Sequence, residues 1–304
     1  MATFLGLPAV ALDELRPGEA DVAVLGVPHG VAYPDPGLTA GCALAPAAIR
    51  ARSARMGPFV GNHDFDLGGP MLPPGSGLRV VDLGDVPGSP DDGPGNQRRA
   101  EGAVRSVLEA GAVPIVLGGD DSIPIPVMRA YTSRDPLWVL QVDAHLDFRH
   151  EVDGVREGYS SPMRRAAELE HVAGIVQVGL RGVGSARSAD VDEALAAGNV
   201  LVTARELHRR GVPWLLERVP ANASLFVAFD CDGLDPSVMP AVSGLSPGGL
   251  TYDEAGDLLS GLAARCRIAG ASFTELVPDR DVNERSALVV ARLVMRLIAG
   301  IARR

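Results

Sequence analysis

Residues 137–147 read LWVLQVDAHLD, a continuous apolar run that breaks abruptly into Asp-Ala-His-Leu-Asp. A second stretch built the same way, SLFVAFDCDGLDP, occupies 224–236. Continuous rather than alternating hydrophobicity marks strands covered on both faces, the habit of parallel sheets. Further Val-, Ile- and Leu-rich runs near 21–27, 79–83, 113–117, 174–180, 198–202 and 268–276 join these two, at 137–142 and 223–229, to predict eight strands. Segments with helical spacing lie between most of them, at 45–56, 97–110, 161–171, 188–196, 203–210 and 251–265, with a last one at 285–302. Alternating strands and helices imply crossover connections and an α/β fold with a parallel sheet. Periodicity alone leaves both a closed eight-stranded barrel and an open doubly wound sheet available.

The chain has 304 residues, 46% hydrophobic and 22% charged, ample for a buried core. The Gly- and Pro-rich tract from Gly69 to Gly95 is the one linker candidate, yet it contains the strand-like RVVDLGD at 79–85 and is read as loops within a single domain, 1–304. All 28 basic residues are arginine. The absence of lysine excludes a Walker phosphate loop, Schiff-base chemistry and a protein-kinase site, each of which needs its amine. A net charge of −10 with scattered arginines offers no basic stripe for nucleic acid. Cys42, Cys231 and Cys266 are odd in number and lack a CxxC pair, so a disulfide framework or zinc knuckle is not expected and a cytoplasmic location fits. The first residues lack a basic region and turn acidic at Asp13 and Glu14, unlike a secretory signal. The longest apolar segment, 287–301, is cut by Arg292 and Arg296, so no membrane span is expected.

Ligands of α/β folds sit at the carboxyl ends of strands, and here those ends are acidic. VPIVL leads to Gly118-Gly119-Asp120-Asp121-Ser122, LWVLQV to Asp143, His145 and Asp147, SLFVAF to Asp230, Asp232 and Asp235, and a fourth end offers Glu275. Residues i and i+2 of an extended segment point the same way, so D-x-H-x-D and D-x-D each aim polar groups into one space. Converging carboxylates cannot all be ionised at neutral pH without cations. Oxygen-dominated ligation with one imidazole points to Mn²⁺ or a similar divalent ion, and the number of groups suggests two ions, about 3.5 Å apart. Asp120 after Gly-Gly is read as a turn former or a residue that supports the ligands from behind, and Asp235 before Pro236 as a turn former. His29, His63, His171 and His208 are read as surface or packing residues, although His29 follows the first strand end and can line a site there.

In its motifs the chain resembles the ureohydrolase (arginase and agmatinase) family over nearly its whole length. The matching segments are GVPHG at 26–30, APAAIR at 45–50, GGDDS, DAHLD, SSPMRRA, VGLRG, FDCDGLDP, PAVSGLSPGGL at 240–250 and ELVPDRD. The resemblance implies a three-layer α/β/α fold around an eight-stranded, mostly parallel open sheet. It also implies a homo-oligomer, trimer or hexamer, and a binuclear manganese site that hydrolyses a guanidino group to urea and an amine. Asp143, His145, Asp147, Asp230 and Asp232 stand where the family places metal ligands. By the same likeness Asp147 orients the attacking hydroxide and Glu275 holds the substrate guanidinium.

Two positions depart from the family pattern. GGDHS is usual at the first motif, and Asp121 stands here in place of its histidine as the sixth ligand, making the site more negative by one charge. In GYSSP, 158–162, Tyr159 replaces the histidine that serves as proton shuttle; a phenol with a pKa of about 10 donates a hydrogen bond but exchanges protons poorly near neutrality. His150 is a possible substitute. The segment 148–161 is expected to line the entrance: Arg149 and Arg156 would receive a substrate carboxylate, whereas Glu151, Asp153 and Glu157 would attract a distal amine. An agmatine-type substrate is the first expectation. The alternatives are another C–N bond in a formimino, amide or guanidino acid substrate, and a non-catalytic subunit of the same fold.

Overall fold

The apolar runs become strands of one sheet. The computed structural model describes residues 2–34, 37, 39–132 and 136–304. Its strands are β1 (Val22–Val27), β2 (Val80–Asp85), β3 (Val113–Gly118), β4 (Leu137–Val142), β5 (Val172–Leu180), β6 (Val200–Thr203), β7 (Ser224–Asp230) and β8 (Arg267–Thr274). They lie in the order β2-β1-β3-β8-β7-β4-β5-β6. Every pairing is parallel. With β2 and β6 as its outermost strands, the sheet is open and the barrel is excluded.

The helices are α1 (Ala45–Ala54), α2 (Gly93–Glu109), α3 (Pro124–Arg129), α4 (Pro162–Ala167), α5 (Ser188–Ala196), α6 (Ala204–Arg210), α7 (Val212–Leu216), α8 (Tyr252–Arg265) and α9 (Arg285–Ala302). Strand side chains alternate between two cores. Val22, Val24, Leu140, Val142, Val227 and Phe229 pack with α1, α8 and α9, whereas Ala23, Leu25, Val139, Phe226 and Ala228 pack with α2, α3 and α4. The result is three layers, α/β/α, with the sheet buried on both faces.

Local chemistry sets several boundaries. α8 starts at a capping box in which Thr251 and Glu254 satisfy each other's backbone N–H. The arginines that interrupt the apolar face of α9 are tied down: Arg292 Nη1 donates to Asp64 Oδ2 at 2.5 Å and Arg296 Nη2 to Asp257 Oδ1 at 3.0 Å. Among the described residues no helix is long and apolar enough to cross a membrane. α4 is shorter than the predicted 161–171, and α3 and α7 were not predicted. The Gly- and Pro-rich tract carries β2, which pairs with β1 in the same sheet, and Asp92, which caps α2 by accepting from Gly95 N.

Candidate metal centre

The acidic strand ends belong to β3, β8, β7 and β4, four neighbours at the middle of the sheet. Chain order hides this, because β3 and β4 are consecutive in sequence while β8 and β7 lie between them. After β3 the backbone passes too close to its surroundings for a side chain: a Cβ on Gly119 would lie 2.3 Å from the Pro28 carbonyl oxygen and one on Gly118 would lie 2.7 Å from the Thr274 methyl. Glu275 N donates to Gly119 O at 2.8 Å, and Asp121 N returns a bond to Glu275 Oε1 at 2.9 Å, which locks the two strand ends together. Asp147 and Glu275 both sit in the left-handed region, at φ 47° and φ 68°. Each such conformation costs about 1–3 kcal/mol in a non-glycine residue, strain that clusters at functional sites.

The side chains converge as two overlapping triads. The ligand atoms of Asp121, Asp143 and Asp230 lie within 4.8 Å of one another, and so do those of Asp143, His145 and Asp232. Asp143 is common to both and fully buried. Asp143 Oδ1 accepts from His145 N at 2.6 Å, Asp230 Oδ1 from Asp232 N at 2.7 Å, and Asp232 Oδ1 from Ala144 N at 3.1 Å. Thr274 Oγ1 donates to Asp121 Oδ1 at 2.5 Å. Asp147 lies outside both triads but shares the Gln141 amide with Asp143, at 3.2 and 2.6 Å.

Electrostatics makes this cluster costly as it stands. Burial first, then repulsion from Asp143, pushes Asp121 and Asp147 well above the carboxylate range; Asp230 is raised by burial and by Asp232. Burial also takes Asp232 up to about 6 and Glu275 up to about 8. His145 is raised too, to about 11, but here the charged form is the one favoured, because its ring hydrogen-bonds Asp143 and Asp232 and its charge offsets theirs. Asp121 Oδ2 is buried with no hydrogen-bond partner among the described residues. An orphaned carboxylate oxygen, repelling neighbours and a lone imidazolium as the offsetting charge are what a pair of divalent cations would resolve, so the residues present fit such a pair.

Above the cluster lies a cavity of about 440 Å³ lined by Asp121, Asp147 and Glu275 together with Tyr33, Arg149 and Tyr159. Tyr159 stacks tilted against Tyr33 at 4.4 Å between ring centroids, and burial pushes its hydroxyl up to about 12. Arg149 donates to Ser185 O at 2.9 Å and lies 3.6 Å from Asp190. Asp153 also lines the cavity and is exposed. His150 and Glu151 are exposed and outside it. Arg156 and Glu157 face a separate, larger cavity of about 580 Å³ beside Arg129 that holds none of the clustered acids. His29 stands against Gly88, also off the site. Asp120 and Asp235 act as turns, accepting from Ser122 N and Ser237 N, each at 2.9 Å. Sequence reasoning missed Tyr33, whose Oη accepts from Ser160 N at 3.1 Å, and Gln141. Nothing local marks Tyr33, which lies in a loop, whereas Gln141 announces itself as a polar residue inside an apolar strand.

Comparison with known proteins supplies the family. The arginase family pattern matches residues 20–300. Guanidinopropionase of Pseudomonas aeruginosa is 33% identical over 99% of this chain and 91% of its own. N(1)-aminopropylagmatine ureohydrolase of Thermus thermophilus is 32% identical over 92% of this chain and 90% of its own. The solved structure of proclavaminate amidino hydrolase from Streptomyces clavuligerus superposes with a TM-score of 0.86 at 26% identity, covering 100% of this chain and 97% of that one. The chain therefore belongs to the arginase family and is a metal-dependent hydrolase of carbon–nitrogen bonds in the amidino groups of guanidino compounds.

Proposed function

We propose that Asp121, Asp143, His145, Asp147, Asp230 and Asp232 hold two Mn²⁺ ions and that the chain hydrolyses a linear guanidino compound, agmatine first among them, to urea and an amine. The observation that carries this reading is the pair of triads sharing Asp143 beneath a cavity bordered by Glu275. When bound, the ions supply Lewis acidity and a water of lowered pKa.

The chain's own groups supply the rest. Asp147 gives one oxygen to Gln141 and keeps the other to accept a hydrogen bond from the attacking water. Glu275 receives the substrate guanidinium through charge-assisted hydrogen bonds, and the arriving cation favours its ionised form against the burial that raises it. The water oxygen adds to the guanidinium carbon, the bond from that carbon to the alkyl-bearing nitrogen breaks, and the amine leaves protonated beside urea. Tyr159, held protonated at neutral pH, donates a hydrogen bond to the departing nitrogen. Asp153, exposed at the cavity wall, attracts a distal ammonium such as that of agmatine.

Arg149 supports a second substrate class. Its guanidinium lines the same cavity and would pair with a carboxylate, as a guanidino acid carries; the likeness to guanidinopropionase points the same way. The test is to load the protein with Mn²⁺ and assay agmatine, guanidinopropionate and formiminoglutamate with separate urea and ammonia readouts. Urea from a guanidino compound is the expected result; two bound ions and no urea from any of them would overturn the proposal. The same reading makes the chain a cytoplasmic homo-oligomer, trimer or hexamer. Three buried free cysteines suit a reducing compartment, and light scattering tests the assembly.

A further inference from the structure

Three buried amides cross the sheet and end on the acidic cluster. Gln141 of β4 and Gln177 of β5 are register partners, and Asn199 immediately precedes β6. Asn199 Nδ2 donates to Gln177 Oε1 at 2.9 Å. Gln177 Nε2 donates to Gln141 Oε1 at 2.6 Å and to Leu146 O at 2.7 Å. Gln141 Nε2 then donates to Asp143 Oδ2 at 2.6 Å and Asp147 Oδ2 at 3.2 Å. Gln141 and Gln177 are fully buried and Asn199 is 6% exposed.

The polarity of this chain is forced. Turning over the Gln141 amide would set its oxygen against two carboxylates, and turning over Gln177 would set oxygen against both the Gln141 oxygen and the Leu146 carbonyl. Each amide therefore fixes the orientation of the next, and the series terminates as one N–H₂ group clamped on two carboxylates. One of these, Asp143, is the residue common to both triads. The other, Asp147, follows Leu146, the residue whose carbonyl Gln177 holds, and it occupies a left-handed conformation.

We propose that Asn199, Gln177 and Gln141 form a directional amide relay that presets Asp143 and Asp147 for the metal pair and thereby sets manganese affinity, without touching metal or substrate. The relay rests on the metal reading given above. Its residues are positioning residues: an uncharged donor fixes the rotamer of each carboxylate by holding one of its oxygens, while easing the repulsion between them.

The test is calorimetric titration of metal-stripped protein with Mn²⁺, using the wild type, Gln141→Leu, Asn199→Ala and the double variant, each checked for folding by circular dichroism. Gln141→Leu should weaken manganese binding about ten- to hundredfold, the range for losing a group that supports a ligand. Asn199→Ala touches no carboxylate and acts only through Gln177, so it should weaken binding by more than about twofold in the wild type and by less once Gln141 is gone, when only the Leu146 carbonyl still links Gln177 to Asp147. Wild-type protein that takes up no manganese would overturn the metal reading itself. Wild-type protein that binds two ions while Gln141→Leu binds equally well, or an Asn199→Ala effect of equal size in both backgrounds, would overturn the relay alone. If Gln141→Leu does not fold, Asn199→Ala decides the matter, since unchanged affinity in that variant refutes a relay that begins there.

Discussion

Asp143 is shared by both triads, which makes it unequal to its neighbours. Asp143→Asn should leave the purified protein without either manganese ion, whereas His145→Ala and Asp230→Asn, each in one triad, should retain at least part of one equivalent; elemental analysis of freshly prepared protein distinguishes these outcomes. Asp121→His should keep the metal and change the pH profile of turnover, because it removes one negative charge from a buried site. Tyr159→Phe keeps the ring stacked on Tyr33 and deletes only the hydroxyl, so kcat should fall about tenfold at unchanged KM, as loss of one hydrogen bond to the departing nitrogen does. Asp143, His145 and Asp230 were visible in the sequence because D-x-H-x-D and D-x-D after buried strands crowd like charges together, whereas the roles of Asp121 and Tyr159 came from the family resemblance alone. Gln141 and Gln177 stand out only as polar residues inside apolar strands, and that they act together shows only once β4 and β5 are neighbours in register.

The loops around the site are joined by one side chain. Arg181, just beyond β5, donates to the carbonyls of Gly179, Asp232, Gly233, Leu234 and Ser246. A lysine ammonium has three donors and no planar fork, so Arg181→Lys should orphan carbonyls and destabilise by about 1–3 kcal/mol, measured by urea unfolding. Between α6 and α8, His208 Nδ1 lies 2.8 Å from Glu254 Oε1, and this hydrogen bond raises the histidine pKa. A raised folded pKa means stability that is complete below the unfolded value, about 6.5, and lost as pH rises through the folded value. His208→Gln should therefore abolish a small decline in Tm on going from about pH 6 to about pH 8; the His208 side chain is 37% exposed, so the effect stays below about 1 kcal/mol. Strands and long helices were legible because apolar spacing repeats over many residues. α3 and α7 were hidden by Pro124, Pro126 and Pro213, which read as breakers although proline is well suited to a first helical turn.

At the scale of the whole molecule, strand order was the part the sequence could not disclose by itself, since β3-β8-β7-β4 is assembled from segments far apart in the chain. The residues showed that the strands are parallel and end in acids; only the order makes those ends adjacent and turns four separate turns into one buried anion cluster. On the proposed metal reading, that cluster would couple metal to folding. Ions that bind the folded chain and not the unfolded one stabilise by mass action, about 2.7 kcal/mol at a hundredfold excess over Kd. Chelation should thus lower Tm and added Mn²⁺ restore it. The metal-free state also holds protons that ligation must displace, because Asp121, Asp147 and Asp230 are raised well above the carboxylate range and His145 to about 11. Manganese titrated into stripped protein at neutral pH should release protons, read as a binding enthalpy that shifts with the ionisation enthalpy of the buffer. Binding with no such shift would mean that the acids are already ionised in the empty site, and the repulsion argued to demand cations would not exist.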